Sequence, residues 1–476
     1  MLFNSIQFLI FFPIVAILYF LAPHRWRWIL LLGASYYFYM SWRPDFLILI
    51  VISTLIDYTA GRLMGRTPEK AKRKKYLALS LASNLGLLLT FKYFNFILSS
   101  ISATLDFLQV DQNIPELNLL LPVGISFYTF QTLSYSIDVY RGKKEPEKHL
   151  GIFALYVSFF PQLVAGPIER SIHLLPQFHQ KHPFDSMRIT SGFQQILWGF
   201  LKKVVIADNL AALVNTVYNS PTEFNSTELL IGTYLFSFQI FCDFSGYSDI
   251  AIGVAKILGY DLMENFRRPY FSKSIAEFWR RWHISLSTWF RDYLYIPLGG
   301  NHVPAPQWYF NLFVVFLISG LWHGANWTFV IWGALHGLYF ILSIELTPLR
   351  EAIVKFMQLE RFPWLYKFIQ VFTTYHLVTF AWIFFRANSL SDAFYIVSNI
   401  FNFSSLELPY FKHELLIPLM LILLMEFIHL LQRNGSIRER INQQPTWIRW
   451  GIYYATIIFI LLFGVFENQQ FIYFQF

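Results

Sequence analysis

The chain has 476 residues, of which 55% are hydrophobic, 20% aromatic and only 14% charged, with a formal net charge of +8. Soluble domains carry about 25% charged residues, so this is not a run of soluble domains, and its apolar stretches repeatedly approach the ~20 residues that cross a bilayer. The composition specifies an all-α polytopic membrane protein, and the single cysteine, Cys242, excludes an intrachain disulfide.

The first apolar run, IQFLIFFPIVAILYFL, has no basic residue before it and no small-residue cleavage site after it. It reads as a first span and not as a secretory signal peptide. Further candidate spans lie near residues 28–42, 45–60, 76–98, 119–139 and 150–166, then near 228–241, 244–259, 308–322, 326–345, 366–385, 413–431 and 449–466. Several are too short for an upright crossing, so re-entrant segments are expected.

Lysine and arginine set the orientation. The loop GRLMGRTPEKAKRKKY, with Arg62, Arg66, Lys70, Lys72, Arg73, Lys74 and Lys75, is expected in the cytoplasm. Two spans back, Arg25 and Arg27 fall on the same side, and the third span puts the N-terminus outside. Forward, residues 99–118 carry Asp106, Asp111 and Glu116 with no basic residue, and RGKKEPEK returns to the cytoplasm. Positive-inside bias and anionic headgroups account for the net charge without nucleic acid. Neither a short repeat nor two similar halves can be seen, which speaks against a solenoid and weakens an inverted-repeat transporter.

The chemistry is therefore sought in polar residues that burial in a membrane makes expensive. FSFQIFCDFSGYSDIAIG carries Gln239, Asp243, Ser245, Tyr247, Ser248 and Asp249. Six residues separate the two aspartates, which puts them about 240° apart on a helix. They form no paired-acid face, and the expectation is that one bonds a histidine or arginine elsewhere while the other caps a helix. Cys242 beside Asp243 reads as packing.

In AEFWRRWHISLSTWFRDYLYIPLGG, a single helix gathers Ile275, Phe278, Trp279, Trp282, Leu286, Trp289, Phe290 and Tyr293 into one apolar stripe. Glu277, Arg280, Arg281 and Arg291 fall opposite, and His283 on the border. Such a helix lies in the interface plane, its arginines on lipid phosphates. Alternatively its polar face forms a basic, aromatic-edged mouth for an anionic cofactor such as a nucleotide thioester.

SGLWHGANW places His323 inside a stretch, Trp308 to Ser343, that contains no Asp, Glu, Lys or Arg. The runs on either side of the Gly-Ala-Asn turn are short for full spans, and irregular backbone at that depth is tolerated where it lines a cavity. His336, thirteen residues on, falls about 220° away round a continuous helix and faces elsewhere unless the turn redirects the chain. His323 is either a core residue bonded to a carbonyl or a catalytic group, since ionisable residues in spans are functional candidates by default. Neither Ser126 nor Ser245 sits in a G-x-S-x-G turn. Without H-E-x-x-H, C-x-x-C or a P-loop, zinc and nucleoside triphosphate chemistry are not indicated.

Taken together, EFWRRWHISLSTWFRDYLYIPLGG and SGLWHGANW about forty residues later resemble the membrane-bound O-acyltransferase (MBOAT) superfamily. Within it the likeness is to the bacterial alginate O-acetyltransferase AlgI type. LPVGISFYTFQTLSYSIDVYRG, FFPQLVAGPIER, FCDFSGYSDIAIG, ENFRRPYFSKSIAEFWRRWHISLS and FIYFQF are similar to that group, densely from about residue 120 to 345. The resemblance implies about eleven transmembrane helices plus re-entrant and interfacial helices around a funnel and tunnel. It implies one domain over 1–476, with N-terminal spans to 118, a catalytic core over 119–345 and C-terminal spans from 346. It also implies that His323 is the family histidine in the tunnel and His283 its partner, with His336, Asp243, Asp249 and Tyr247 as secondary polar residues. The implied donor is acetyl-CoA from the cytoplasm, with no permanently bound cofactor and no metal. The implied acceptor is an extracytoplasmic hydroxyl of an exopolysaccharide or cell-wall glycan, reached directly or through an SGNH-hydrolase-like acetyltransferase outside a bacterial inner membrane. Related members use a D-alanyl carrier protein for teichoic acid.

Acyl transfer to a hydroxyl needs a base for the proton and a donor for the developing oxyanion. A partly desolvated histidine stays neutral and can accept a proton. The expectation is that His323 is the general base and that His283 orients the thioester or donates to the oxyanion. Arg280, Arg281, Arg291, Trp279 and Asn326 are candidates for holding the donor. The competing readings are an acyltransferase for lipid, teichoic acid or protein, and a transporter or export component without chemistry.

Overall fold

The computed structural model describes residues 1–110, 119–402, 408–411, 414–432, 435, 437–466 and 471–472, and no β-strand occurs among them. Seven helices in these residues are long and apolar enough to cross a membrane: Pro44–Arg66, Lys70–Phe107, Ser226–Leu258, Ala305–His323, Trp327–Glu345, Pro363–Arg386 and Thr446–Phe463. Ile6–Leu21 and Leu416–Leu431 are shorter apolar helices. The protein is a multi-pass membrane protein of all-α architecture.

Two of the expected spans, 228–241 and 244–259, are one helix of 33 residues, Ser226–Leu258. At 1.5 Å per residue it is about 50 Å long, and 78% of its most apolar window is buried inside the protein. The polar residues that suggested a break lie within a continuous helix, because protein groups and not lipid surround them. The expected 150–166 span is instead the nine-residue helix Leu150–Ser158, then an extended Phe159, then the single turn Phe160–Leu163. Every one of the residues 152–163 is buried, so this irregular backbone meets protein in place of hydrocarbon.

Two compact units make up the chain. The first comprises Met1–Phe193 with Ala251–Met263, and the second Gln194–Ile250 with Glu264–Phe476.

In the first unit the helices Leu47–Arg66, Lys70–Leu88 and Ile125–Tyr140 are joined by polar groups. Asp57 accepts from Ser80 at 2.5 Å and from the Asn84 amide at 2.9 Å. Ser53 and Thr132 donate to the Asn84 carbonyl at 2.8 and 3.2 Å, and Ser80 bonds Ser136 at 2.8 Å. Lipid offers no partner to such groups, so they must satisfy one another across the helices. In the GPIER segment the fully buried Glu169 receives the Met263 amide at 2.5 Å and holds His173 at 2.8 Å, which pushes the exposed imidazole above its ordinary pKa.

In the second unit the helices Ala305–His323 and Trp327–Glu345 form an antiparallel hairpin whose backbones touch. A Cβ on Gly320 would lie 2.2 Å from the Phe329 carbonyl oxygen, and one on Gly333 2.4 Å from that of Phe316. Small residues permit this approach, which dispersion and packing stabilise where lipid supplies no hydrophobic drive. The unit also holds a seven-residue π-helical turn, Leu201–Ala207, carrying Lys202 and Lys203.

Candidate active site

The tight hairpin fixes His323. It is the last residue of Ala305–His323, 3% exposed, with Gly324 turning the chain into Asn326, whose side chain caps the next helix by accepting from the Thr328 amide at 3.0 Å. Around its imidazole stand Trp322, Trp332 and Phe385, with centroids 5.0, 5.0 and 5.3 Å away.

His283 does not lie on a continuous amphipathic helix. The segment consists of Ile275–Trp279, a break, Ile284–Phe290 and a π-helical turn, Arg291–Tyr295. Periodicity finds the right apolar residues, since Ile275, Phe278, Trp282 and Leu286 are all buried, but they pack within the protein and not against lipid. It cannot find the break, because the ENFRRP segment makes it. Asn265 accepts the Ile284 amide on its backbone oxygen at 2.9 Å and the Ser285 amide on its side-chain oxygen at 3.2 Å, while the Arg267 amide takes the Arg281 carbonyl at 2.8 Å. Hydrogen bonds that a helix would make to itself go to a neighbouring strand of chain. His283 occupies the junction in a left-handed conformation, φ 42° and ψ 55°. Such a conformation costs of order 1–3 kcal/mol and collects at functional sites.

The side chain of His283 is fully buried, and not at the border of two faces. Its Nδ1 lies 3.1 Å from the Asn265 side-chain oxygen, its ring meets Phe244 edge-on at 4.7 Å and stacks on Phe266 at 6.3 Å. The two histidines, forty residues apart in sequence, have ring centroids 6.4 Å apart. His336 does not join them. Its ring packs on Trp332, at 4.9 Å, and beside Trp279 and Phe278, and neither ring nitrogen finds a hydrogen-bond partner among the described residues.

Among the described residues neither Asp243 nor Asp249 bonds a histidine or arginine, the partners the sequence had suggested for one of them. Each takes one of two consecutive lysines: Lys203 meets Asp243 and Asp208 at 2.7 Å, and Lys202 meets Asp249 at 2.5 Å and Ser245 at 2.9 Å. The second Asp243 oxygen accepts the Ile472 amide at 2.8 Å, and Phe471 packs on Tyr247 at 4.8 Å. The π-helical turn lets two adjacent lysines reach acids 240° apart, since it shifts residue register within the helix.

Lys202 and Asp249 also line a cavity of about 530 Å³ together with Arg267, Arg268 and Arg438. Phe266, whose ring stacks on His283 at 6.3 Å, is part of the same wall.

Residues 46–385 match MBOAT, the membrane-bound O-acyltransferase family. The chain belongs to that family. It is 43% identical over 408 residues to the probable alginate O-acetylase AlgI of Azotobacter vinelandii, covering 85% of this chain and 78% of that one. It is 35% identical over 420 residues to the peptidoglycan O-acetyltransferase of Helicobacter pylori, covering 83% and 76%. The teichoic acid D-alanyltransferase of Bacillus subtilis is 31% identical over 239 residues, 47% of this chain and 59% of its own. The protein is a membrane-embedded O-acyltransferase.

The O-acyltransferase places the residues expected to hold a donor in several different surroundings. Trp279 is buried against Phe316, Trp332 and His336, and Asn326 is the helix cap. Arg281 pairs with Glu277 at 2.5 Å and Arg291 with Asp292 at 2.7 Å, while Arg280 is exposed. None of the three arginines lines the charged cavity. Sequence reading missed Lys202, Asn265, Arg268 and Arg438. Lys202 and Lys203 were legible, being two charges inside the apolar run FQQILWGFLKKVVIADNL, where the rule for intramembrane charge applies. Asn265 carries no such signal, because an asparagine before FRRP reads as a turn.

Proposed function

We propose that this O-acyltransferase moves an acetyl group from a thioester donor, acetyl-CoA, to a hydroxyl of an exopolysaccharide or cell-wall glycan, at His283 and His323. The observation that carries this reading is the approach of the two buried imidazoles, from separate motifs, to 6.4 Å. Relatives named for alginate and for peptidoglycan O-acetylation support a glycan acceptor and an acetyl group. The hydroxyl oxygen attacks the thioester carbonyl, the carbon–sulfur bond breaks, and the hydroxyl proton passes by way of an imidazole to the departing thiolate. General-base assistance of this kind contributes ~10² to 10⁴-fold.

The donor's phosphates find complementary charge in the cavity walled by Lys202, Arg267, Arg268 and Arg438, four cations against Asp249 and Glu264. Guanidinium groups suit phosphate because their donors match its oxygens two at a time. This assigns donor binding to the cavity and not to Arg280, Arg281 and Arg291. The enzyme lies in a bacterial inner membrane with the basic loop 62–75 in the cytoplasm and the N-terminus outside, by positive-inside bias. The acetyl group is handed to the glycan by an extracytoplasmic SGNH-hydrolase-like acetyltransferase.

The test is purified enzyme in vesicles, given radiolabelled acetyl-CoA and glycan oligosaccharide, with and without that partner. Label is expected on the glycan, dependent on both histidines. Full transfer by folded His323→Ala and His283→Ala proteins would sink the assignment.

A further inference from the structure

Two arginines of the first unit are brought to one place by consecutive carbonyls. Arg27, in the first turn of His24–Met40, donates from Nη1 to the His182 carbonyl at 2.6 Å and from Nε to that of Ala22 at 3.1 Å. Arg188, in the first turn of Ser186–Phe200, donates from Nη2 to the Pro183 carbonyl at 2.7 Å. Arg27 is only 8% exposed and lies over the Tyr19 ring at 4.6 Å. Neither guanidinium meets a carboxylate among the described residues. Arg188 Nε is buried without an acceptor, and the remaining terminal nitrogen of each group is open to the surface and equally without one among these residues. Charges taken out of water are ordinarily paired, so the two cations lack an anion.

The surroundings carry one sign of charge. Residues 22–30 contain no acid, and residues 179–193 contain Asp185 alone, whose Oδ1 accepts the Met187 and Arg188 amides at 2.9 and 3.2 Å. His24, Arg25 and Lys181 add exposed basic groups. Burial holds the His182 imidazole below its ordinary pKa, and the charges of Arg188, Arg27 and His24 lower it further, against the bond it makes to the Gln177 carbonyl. His24–Met40 begins here without a side-chain cap, and the positive end of its dipole adds to the potential.

Apolar side chains stand beside these charges. Phe184 meets Phe20 edge-on at 5.4 Å and is 69% exposed, and Leu21, Trp26 and Met187 are exposed as well. Exposed aromatic groups next to cations mark the depth of lipid headgroups. The other basic loops lie at this end of the unit: Trp28 packs on His149 at 4.7 Å, and Arg73 bonds the Val139 and Tyr140 carbonyls at 2.9 and 2.7 Å. Positive-inside bias assigns that end to the cytoplasmic leaflet.

We propose that Arg27 and Arg188 form a headgroup site for an anionic phospholipid, with both guanidiniums on its phosphate and its acyl chains against Leu21 and Phe184. Guanidinium donors match phosphate oxygens two at a time, and basic pockets between helices on the cytoplasmic side bind such headgroups. A zwitterionic lipid fits less well. Its ammonium would meet His24, Arg25 and Lys181, and the nearby acid, Asp185, is already engaged by two amides. The site lies within the first unit and does not depend on the acyl-transfer reading.

Native mass spectrometry of the full chain, released from vesicles of equal phosphatidylglycerol and phosphatidylcholine, counts the lipid retained. Phosphatidylglycerol is expected to stay on the wild-type protein in preference to phosphatidylcholine. Arg188→Gln should hold it about 10- to 100-fold less tightly, the worth of a charge-assisted hydrogen bond. Arg27→Gln should do the same, but Arg27 also ties down His182, so Arg188→Gln is the decisive variant. A control carrying Arg25→Gln and Lys181→Gln removes two exposed charges and should retain the lipid within a few fold. Equal retention of the two lipids, an unaltered Arg188→Gln protein, or a control as depleted as Arg188→Gln would overturn the site. Thermal unfolding in detergent separates lipid from free anion. Phosphatidylglycerol is expected to raise the melting temperature of the wild-type protein more than that of Arg188→Gln. Inorganic phosphate giving the same protection would overturn a lipid occupant.

Discussion

Gly320 and Gly333 meet backbone to backbone, with a Cβ built on either glycine 3.2 Å from the other's Cα. The contact puts His323 at a fixed depth in the hairpin, because it sets the register of Ala305–His323 against Trp327–Glu345. Gly320→Ala and Gly333→Ala should each destabilise the enzyme by about 1–3 kcal/mol, the usual cost of overpacking. Thermal unfolding in detergent measures this, and the role proposed for His323 predicts that kcat falls with it, since a small displacement of a reacting group spoils its geometry. Alanine proteins of unchanged stability and rate would show that the contact is dispensable.

Lys203 neutralises two acids, Asp208 and Asp243, with all three side chains less than 5% exposed. Removing it leaves buried carboxylates without their cation, for which about 3–5 kcal/mol is expected. Lys203→Ala should therefore fail to accumulate or melt far below the parent. Lys202→Ala should be milder, because Asp249 is 22% exposed and water can replace part of the pair. Equal melting temperatures for the two variants would contradict this ordering.

His336 lies in the same charge-free stretch as His323, is buried like it and packs on the same Trp332. Its nitrogens have no hydrogen-bond partner among the described residues, and its ring stacks on Phe278 and Phe316. His336→Phe should keep the stacking and remove a buried polar group without a partner, a change that is often neutral or stabilising. Acetyl transfer of the parental order is expected. A loss as deep as that of His323→Ala would place His336 in the chemistry.

The proposed donor site separates two sets of arginines. Arg268→Ala and Arg438→Ala, in the cavity wall, should raise KM for acetyl-CoA about 10- to 100-fold, corresponding to ~1.5–3 kcal/mol for a charge-assisted hydrogen bond. Arg291→Ala should leave KM near the parental value, since Arg291 is 58% exposed and pairs with its neighbour Asp292. Initial-rate kinetics at constant ionic strength decide between them, and the opposite ranking would return the donor to the 280–291 segment.

The helical membrane fold, the basic loops and the two histidine motifs were all readable from the chain, because each is local. Hydropathy needs only a run of about 20 residues, and SGLWHGANW announces a histidine in charge-free surroundings without reference to anything distant. The apolar stripe from Ile275 to Tyr293 was also found, by residue if not by environment. What it was buried against could not be read, since the same stripe serves a lipid surface or a protein core.

Three decisions belonged to the tertiary structure, each for the reason that local periodicity stops at the end of its own helix. Asn265 interrupts the 275–295 segment by taking hydrogen bonds that helix geometry would have kept, and so turns His283 inward. The glycine contact sets the hairpin in which Trp332 packs on both His323 and His336, at 5.0 and 4.9 Å, while His323 alone of the two meets His283. The lysine pair in the π-helical turn chooses partners for Asp243 and Asp249 that no angle on the aspartates' own helix could reveal. The sequence by itself determined which residues would be costly to bury. Only the fold decided which of them meet, because meeting depends on hydrogen bonds and close packing between segments far apart in the chain.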